Sequence, residues 1–167
     1  MQIANTDPNG AGVTPSCSAG VAALDDLMSA AQKPVHKGTN VIMLVDDEIQ
    51  FVDAIYRGLK RKAFLVDVFH SSATAEEAFR NNPHRFGLVV TDYNMPGSNG
   101  LELIRKIRQI QAQVPTVLIS AYLTNEVRAM AQKIVIQVIL EKPFPLEYLL
   151  LAVSRYVTGD PPDAESV

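Results

Sequence analysis

The chain has 167 residues, with 15 Lys and Arg against 18 Asp and Glu for a formal net charge of −3. A composition 47% hydrophobic and 20% charged is that of one globular domain with tails, far from a disordered polymer. The lone Cys17 excludes a disulfide framework and a Cys-based zinc site, the acidic balance argues against a general nucleic-acid binder, and no apolar run approaches the ~20 residues of a membrane span. The first residues lack the basic start and apolar stretch of a signal peptide, so the expected compartment is the cytoplasm.

Residues 1–38 are rich in Gly, Pro, Ser, Thr and Ala and read as a flexible N-terminal extension. The spacing of Val21, Leu24, Met28 and Ala31 permits a short helix at 21–32, marginal on its own at that length. From residue 39 to 157 short apolar runs alternate with helix-period segments. Val41–Val45 reads as a strand buried on both faces. Glu48 to Lys62 follows as a helix with Ile49, Val52, Ile55 and Leu59 on its apolar stripe. Phe64–Phe69 is a second strand, more exposed at Asp67. Thr74-Ala-Glu-Glu77 has capping-box spacing and predicts the start of a second helix. Leu88–Thr91 is a third strand, followed by a helix with Leu101, Ile104, Ile107 and Ile110 facing inward. Thr116–Ile119 is a fourth strand, Thr124–Lys133 a helix burying Val127, Met130 and Ala131, and Ile134–Leu140 a fifth strand. Pro145 opens a last helix, where its missing N–H costs least, and Leu146, Leu149, Leu150, Val153 and Val157 form that helix's apolar face. Residues 158–167 read as a disordered polar C-terminal tail.

Strict strand–helix alternation implies an α/β fold, a doubly wound parallel sheet with helices on both faces. Ligands of such sheets bind beyond the carboxyl ends of the strands. Those ends read Asp46-Asp47-Glu48 after the first strand and Asp92-Tyr93-Asn94-Met95-Pro96-Gly97 after the third. The fourth is followed by Ser120-Ala121 and the fifth by Glu141-Lys142-Pro143-Phe144. Two carboxylates about 4 Å apart repel by about 4 kcal/mol at an effective dielectric of 20, so an acidic rim calls for a cation. Asp46, Asp47 and Asp92 are hard oxygen donors suited to Mg²⁺, with Mn²⁺ as a substitute. Lys142 and Ser120 suit phosphoryl oxygens, and a carboxylate beside such a metal can accept a phosphoryl group. The chemistry so built is phosphoryl transfer to Asp92.

Carried by Asp46-Asp47, Asp92 with Met95-Pro96-Gly97, Ser120-Ala121 and Lys142-Pro143-Phe144, residues 39–157 resemble the CheY-like receiver domain of two-component response regulators. The resemblance implies a flavodoxin-like (βα)5 fold with a five-stranded sheet of order 2-1-3-4-5. It implies that Asp92 accepts phosphate from a histidine kinase or phosphotransfer protein. Asp46, Asp47, Asp92 and the backbone carbonyl of Asn94 would hold Mg²⁺, while Ser120 and Lys142 would bind the phosphoryl oxygens. Asn94 and Tyr122 match positions that tune the acyl phosphate's lifetime. The family usually has an aromatic switch residue three positions before the lysine, where this chain has Ile139, stiff and β-branched. The usual glycine in the loop before the fifth strand is also missing from Lys133–Val138.

The expected function is therefore a phosphorylatable switch without an attached output domain. It would act through an unidentified downstream protein, with no nucleic acid or membrane as partner. A homodimer through the face of the fourth helix, fifth strand and fifth helix is one outlet. It is not expected to be a metabolic enzyme; its chemistry would be self-phosphorylation and autodephosphorylation at Asp92. A phosphorylation-independent scaffold of the same fold is the alternative, favoured by Ile139. An aspartyl-phosphate hydrolase is disfavoured because Asn94 stands where such enzymes carry a second acid, and a flavin site because FMN phosphate wants donors rather than carboxylates. His36, His70 and His84 are read as surface residues outside the rim.

Overall fold

The computed structural model describes residues 41–158. The readings for Cys17, His36, the 21–32 helix and residues 159–167 lie outside these residues. Five parallel strands, β1 (Val41–Val45), β2 (Leu65–Phe69), β3 (Phe86–Asp92), β4 (Thr116–Ser120) and β5 (Val138–Glu141), form one sheet of order β2-β1-β3-β4-β5. They alternate with α1 (Ile49–Arg61), α2 (Ser72–Asn81), α3 (Gly100–Ile110), α4 (Asn125–Lys133) and α5 (Leu146–Val157), plus a 3-10 turn at Pro83–Arg85. This is the flavodoxin-like doubly wound arrangement that strict alternation requires.

Successive side chains on a strand point to opposite faces, so each buried strand feeds two cores. Ile42, Leu44, Leu88 and Val90 meet Val52, Ile55 and Leu59 of α1 and Leu149 and Val153 of α5. Met43, Val45 and Val89 meet Phe79 of α2 with Leu103 and Ile107 of α3 on the other face. Leu118 joins Ile104 of α3 and Val127 of α4 in a smaller cluster. The register aligns the carboxyl ends, with Val45 opposite Thr91, Asp92 opposite Ile119 and Ser120 opposite Glu141.

The structure corrects several details of the sequence reading. Helix α2 begins at Ser72 rather than Thr74: Ser71 is the cap, its hydroxyl accepting the Thr74 N–H at 3.2 Å. Strand β3 is longer than expected at both ends, and β5 is shorter, because Ile134–Gln137 is a connecting loop. Ile49, Ile110 and Met130, assigned to inward stripes, are exposed. Ile49 and Ile110 are terminal residues of their helices, where the neighbouring layer no longer covers the stripe. Pro145 stands immediately before α5 as its cap residue, not within its first turn.

Candidate functional site at the strand ends

The rim is built by local backbone chemistry. Asp46 follows the last residue of β1 and is 1% exposed; its amide still donates to the Phe69 carbonyl of β2 at 3.2 Å. Its Oδ1 accepts the Glu48 N–H at 2.8 Å, turning the chain into α1. Asp92 ends β3, the central strand, and its Oδ2 accepts the Asn94 N–H at 2.6 Å. Ser120 ends β4 fully buried, and its carbonyl accepts the Lys142 N–H at 2.8 Å, which fixes where the lysine leaves β5.

From that origin the Lys142 ammonium reaches across the sheet ends. Its Nζ lies 3.0 Å from Asp46 Oδ2 and 2.9 Å from Asp92 Oδ1, with Glu48 Oε2 farther at 3.7 Å. One cation thus serves two buried carboxylates. Burial pushes the Asp46 carboxyl above its ordinary range, against the opposing pull of the Glu48 amide and Lys142, and the charge of Asp92 adds to the rise. Burial alone would lower Lys142, but its hydrogen bonds to Asp92 and Asp46 carry it above the ordinary lysine value. The ammonium is therefore charged and committed to this corner.

Of the residues singled out in the sequence, Asp46, Asp92 and Lys142 are in direct contact. Asp47 is exposed, and so is Asn94. Among the described residues no three His, Cys, Asp or Glu side chains gather into a group able to hold a metal ion. The Ser120 hydroxyl turns back on its own loop, donating to the Tyr122 carbonyl at 2.9 Å and accepting the Tyr122 N–H at 3.2 Å. Tyr122 is 75% exposed. Ile139 is half-buried and packs on the α3–α4 cluster with Tyr93, Leu123, Ile134 and Ile136.

Two residues of the site, Gly100 and Phe51, were not singled out in the sequence, and two more, Gly97 and His70, were named there without these contacts. Gly100, the first residue of α3, lies against the backbone of Asp92: a Cβ there would collide with the Asp92 carbonyl oxygen. Its N–H closes the loop on the Tyr93 carbonyl at 3.0 Å. Gly97 supplies the positive φ of +85° in the same loop. His70, read from the sequence as a surface residue outside the rim, is exposed, but it stands just after β2 with Nδ1 3.3 Å from the Asp46 carbonyl. The parallel pairing of β1 with β2, which aligns their ends, brings it there. Phe51 carries the Lys142 ammonium over its ring, 3.8 Å from the centroid. Asn99-Gly100 before a helical stripe was a usable signal; the contacts of His70 and Phe51 join distant parts of the chain and leave none.

The model of the response regulator receiver domain matches residues 42–154. Among curated relatives, an alkaline phosphatase synthesis transcriptional regulatory protein, SphR of Synechococcus elongatus, is 31% identical over 66% of this chain and 46% of its own length. The C4-dicarboxylate transport transcriptional regulatory protein DctD of Pseudomonas aeruginosa is 30% identical over 68% of this chain and 24% of its own. The chain thus spans less than half the length of these relatives. In fold it is similar to the non-phosphorylated HemR receiver domain from Leptospira biflexa, with TM-score 0.65, 24% identity, and 71% and 94% of the two chains covered. A CheY-like receiver domain protein from Methanospirillum hungatei gives TM-score 0.66 at 19% identity, covering 72% and 95%. With its sheet order and most of its length in agreement, the chain belongs to the response regulator receiver domain family of two-component systems.

Proposed function

We propose that this receiver domain takes a phosphoryl group on Asp92 from a histidine kinase or phosphotransfer protein and transmits its charge to a partner protein. The observation that carries the reading is the Asp92 carboxylate at the end of the central strand, with Lys142 on one oxygen and the Asn94 amide on the other. An Asp92 oxygen attacks phosphorus; the donor's P–N bond breaks, and its electron pair returns to the imidazole, which takes up a proton. The Lys142 ammonium and Asn94 N–H keep Asp92 oriented, and the ammonium is positioned to meet a phosphoryl oxygen.

The donor chemistry suits a hard divalent cation, since every candidate is an oxygen and two buried carboxylates share one ammonium, although Asp47 stands exposed and the three carboxylates are not gathered into one group here. Asp46, Asp47, Asp92 and the Asn94 carbonyl would hold Mg²⁺, or Mn²⁺ in its place. When bound, the metal would neutralise charge on the transferring phosphoryl group. Ser120 acts as the reporter: by turning from the Tyr122 carbonyl to a phosphoryl oxygen it releases the loop between β4 and α4. The phosphoryl group adds about −1.5 to −2 charges to drive that change. Asn94, whose amide bonds the acceptor, and Tyr122, two residues past Ser120, tune how long the acyl phosphate lasts. This is stoichiometric switching in the cytoplasm, not metabolic turnover.

A second reading, a scaffold or homodimer independent of phosphorylation, is favoured by Ile139, packed aliphatic into the α3–α4 cluster, and by exposed Met130 and Val135 near it in sequence. Intact mass after incubation with a divalent cation and acetyl phosphate, beside Asp92→Asn, tests the first reading. One added phosphoryl group, dependent on Mg²⁺ and absent in the variant, is expected. Uptake unchanged in Asp92→Asn would overturn it, and failure of a beryllofluoride complex to form as well as of uptake would favour the scaffold.

A further inference from the structure

The Lys142 ammonium does not rest on carboxylates alone. Its Nζ stands 3.8 Å from the centroid of the Phe51 ring, well within the roughly 6 Å range of cation–π attraction. Phe51 lies on α1 beside that helix's fully buried stripe; it is half-buried, packing on the core shared with α5 while the ring face meets the ammonium. The ring is held in turn by Phe144, edge to face at 6.1 Å and 86°. Phe144 is two residues beyond Lys142, so one strand-end turn carries both the ammonium and the ring that fixes its seat. We propose that Phe51 is a positioning residue for phosphoryl transfer, its ring face holding the Lys142 ammonium in place while the charge on Asp92 changes. This rests on the reading of Asp92 as phosphoacceptor.

The physical need is specific to this lysine. A lysine ends in a compact charge on a flexible four-carbon stem with no preferred fork geometry. Its two close anchors, Asp46 and Asp92, do not both survive the reaction unchanged, because Asp92 gives an electron pair to phosphorus and the ammonium must pass from its carboxylate oxygen to a phosphoryl oxygen. The exposed Glu48 carboxylate at 3.7 Å is then a competing attraction that would draw the ammonium out toward solvent. The aromatic face attracts a cation, offers no oxygen to compete with the phosphoryl group, and keeps its charge distribution throughout. An aliphatic side chain at the same place could fill the volume but would not hold the ammonium.

The experiment replaces Phe51 in the full chain with phenylalanine analogues of rising fluorine content, which keep the ring's shape while draining its negative face, beside Phe51→Leu. Two readouts are taken: the rate of acetyl phosphate-driven mass gain with Mg²⁺, and the proton shifts of the Lys142 side-chain end by NMR. The rate is expected to fall stepwise with fluorine content, reaching about threefold to tenfold below wild type. The Lys142 protons, shifted upfield by the ring current in wild type, should lose that shift in Phe51→Leu. A flat rate across the series in a chain that is phosphorylated normally would make Phe51 mere packing and overturn the proposal while leaving the phosphoacceptor reading intact. No mass gain in wild type together with no beryllofluoride complex would overturn the phosphoacceptor reading and the role of Phe51 in transfer with it, while the Lys142 shifts would still report whether the ammonium sits over the ring.

Discussion

Replacing Val135 by glycine should stabilise this domain, although it deletes an apolar side chain. Val135, two residues beyond the end of α4, has φ +55°, in the left-handed region that β-branched residues rarely adopt. The hydrogen bonds define a Schellman close: Ile136 N–H donates to the Ala131 carbonyl and Val135 N–H to the Gln132 carbonyl, both at 3.1 Å. Glycine is the usual residue at that position, and a strained side chain there costs about 2 kcal/mol. The Val135 side chain is 63% exposed, so its loss forfeits only about 0.5 kcal/mol of burial. The added freedom of glycine in the unfolded chain takes back roughly 0.4–1 kcal/mol. The Arg108 guanidinium contact with the Val135 carbonyl at 2.7 Å is to backbone and survives. The net expectation is a gain of about 0.5–1 kcal/mol, or roughly 2–6 °C in melting temperature. Urea titration with an unchanged slope measures it, with Val135→Ala as the control that loses the same burial but keeps a Cβ in the strained conformation. A Gly variant no more stable than the Ala variant would refute the strain argument.

Three further outcomes follow from the geometry. Gly100→Ala is favoured by helix propensity, yet its Cβ would strike the Asp92 carbonyl, so the variant should lose about 1–3 kcal/mol in denaturant titration; a gain would mean α3 has room to shift. Asp46→Asn should be more stable than wild type in chelator at neutral pH, because burial raises the folded carboxyl's pKa and its ionised form opposes folding as pH rises through that value; a less stable variant would show that the Lys142 contact outweighs burial. Glu76 ties α2 to α3 through Lys106 at 2.8 Å, and its hydrogen bonds to Lys106 and then Arg80 hold its carboxyl below the usual range. Its contribution, under about 1 kcal/mol, is present above the ordinary glutamate pKa and lost as pH falls through the lowered one. The stability gap between wild type and Glu76→Gln should therefore close on acidification, and a gap independent of pH would point to packing instead.

The order of strands and helices was legible because each element's apolar period is a local property. The buried run Val41–Val45 and the Leu101–Ile104–Ile107 stripe announce themselves without tertiary information. Asp46, Asp92, Ser120 and Lys142 were legible for a related reason: in a parallel α/β sheet every strand's carboxyl end lies on one rim, so chain order alone brings them near one another. Boundaries failed where a local signal had two uses. Thr74-Ala-Glu-Glu77 could cap a helix, but Ser71 captured the Thr74 amide first. Ile134–Ile136 looked like strand, yet the Schellman bonds to α4 claimed their amides.

What the sequence alone determined, then, is the alternation, the two-faced sheet and the acidic rim with its lysine, since these follow from side-chain period and chain direction. Tertiary structure alone decided that one ammonium bridges Asp46 and Asp92, that Ser120 faces Tyr122, that Gly100 must lack a side chain, and that Phe51 seats the lysine. Each of these depends on side-chain direction and on distances of a few ångströms, between groups up to 96 residues apart, which are set by packing rather than by spacing along the chain.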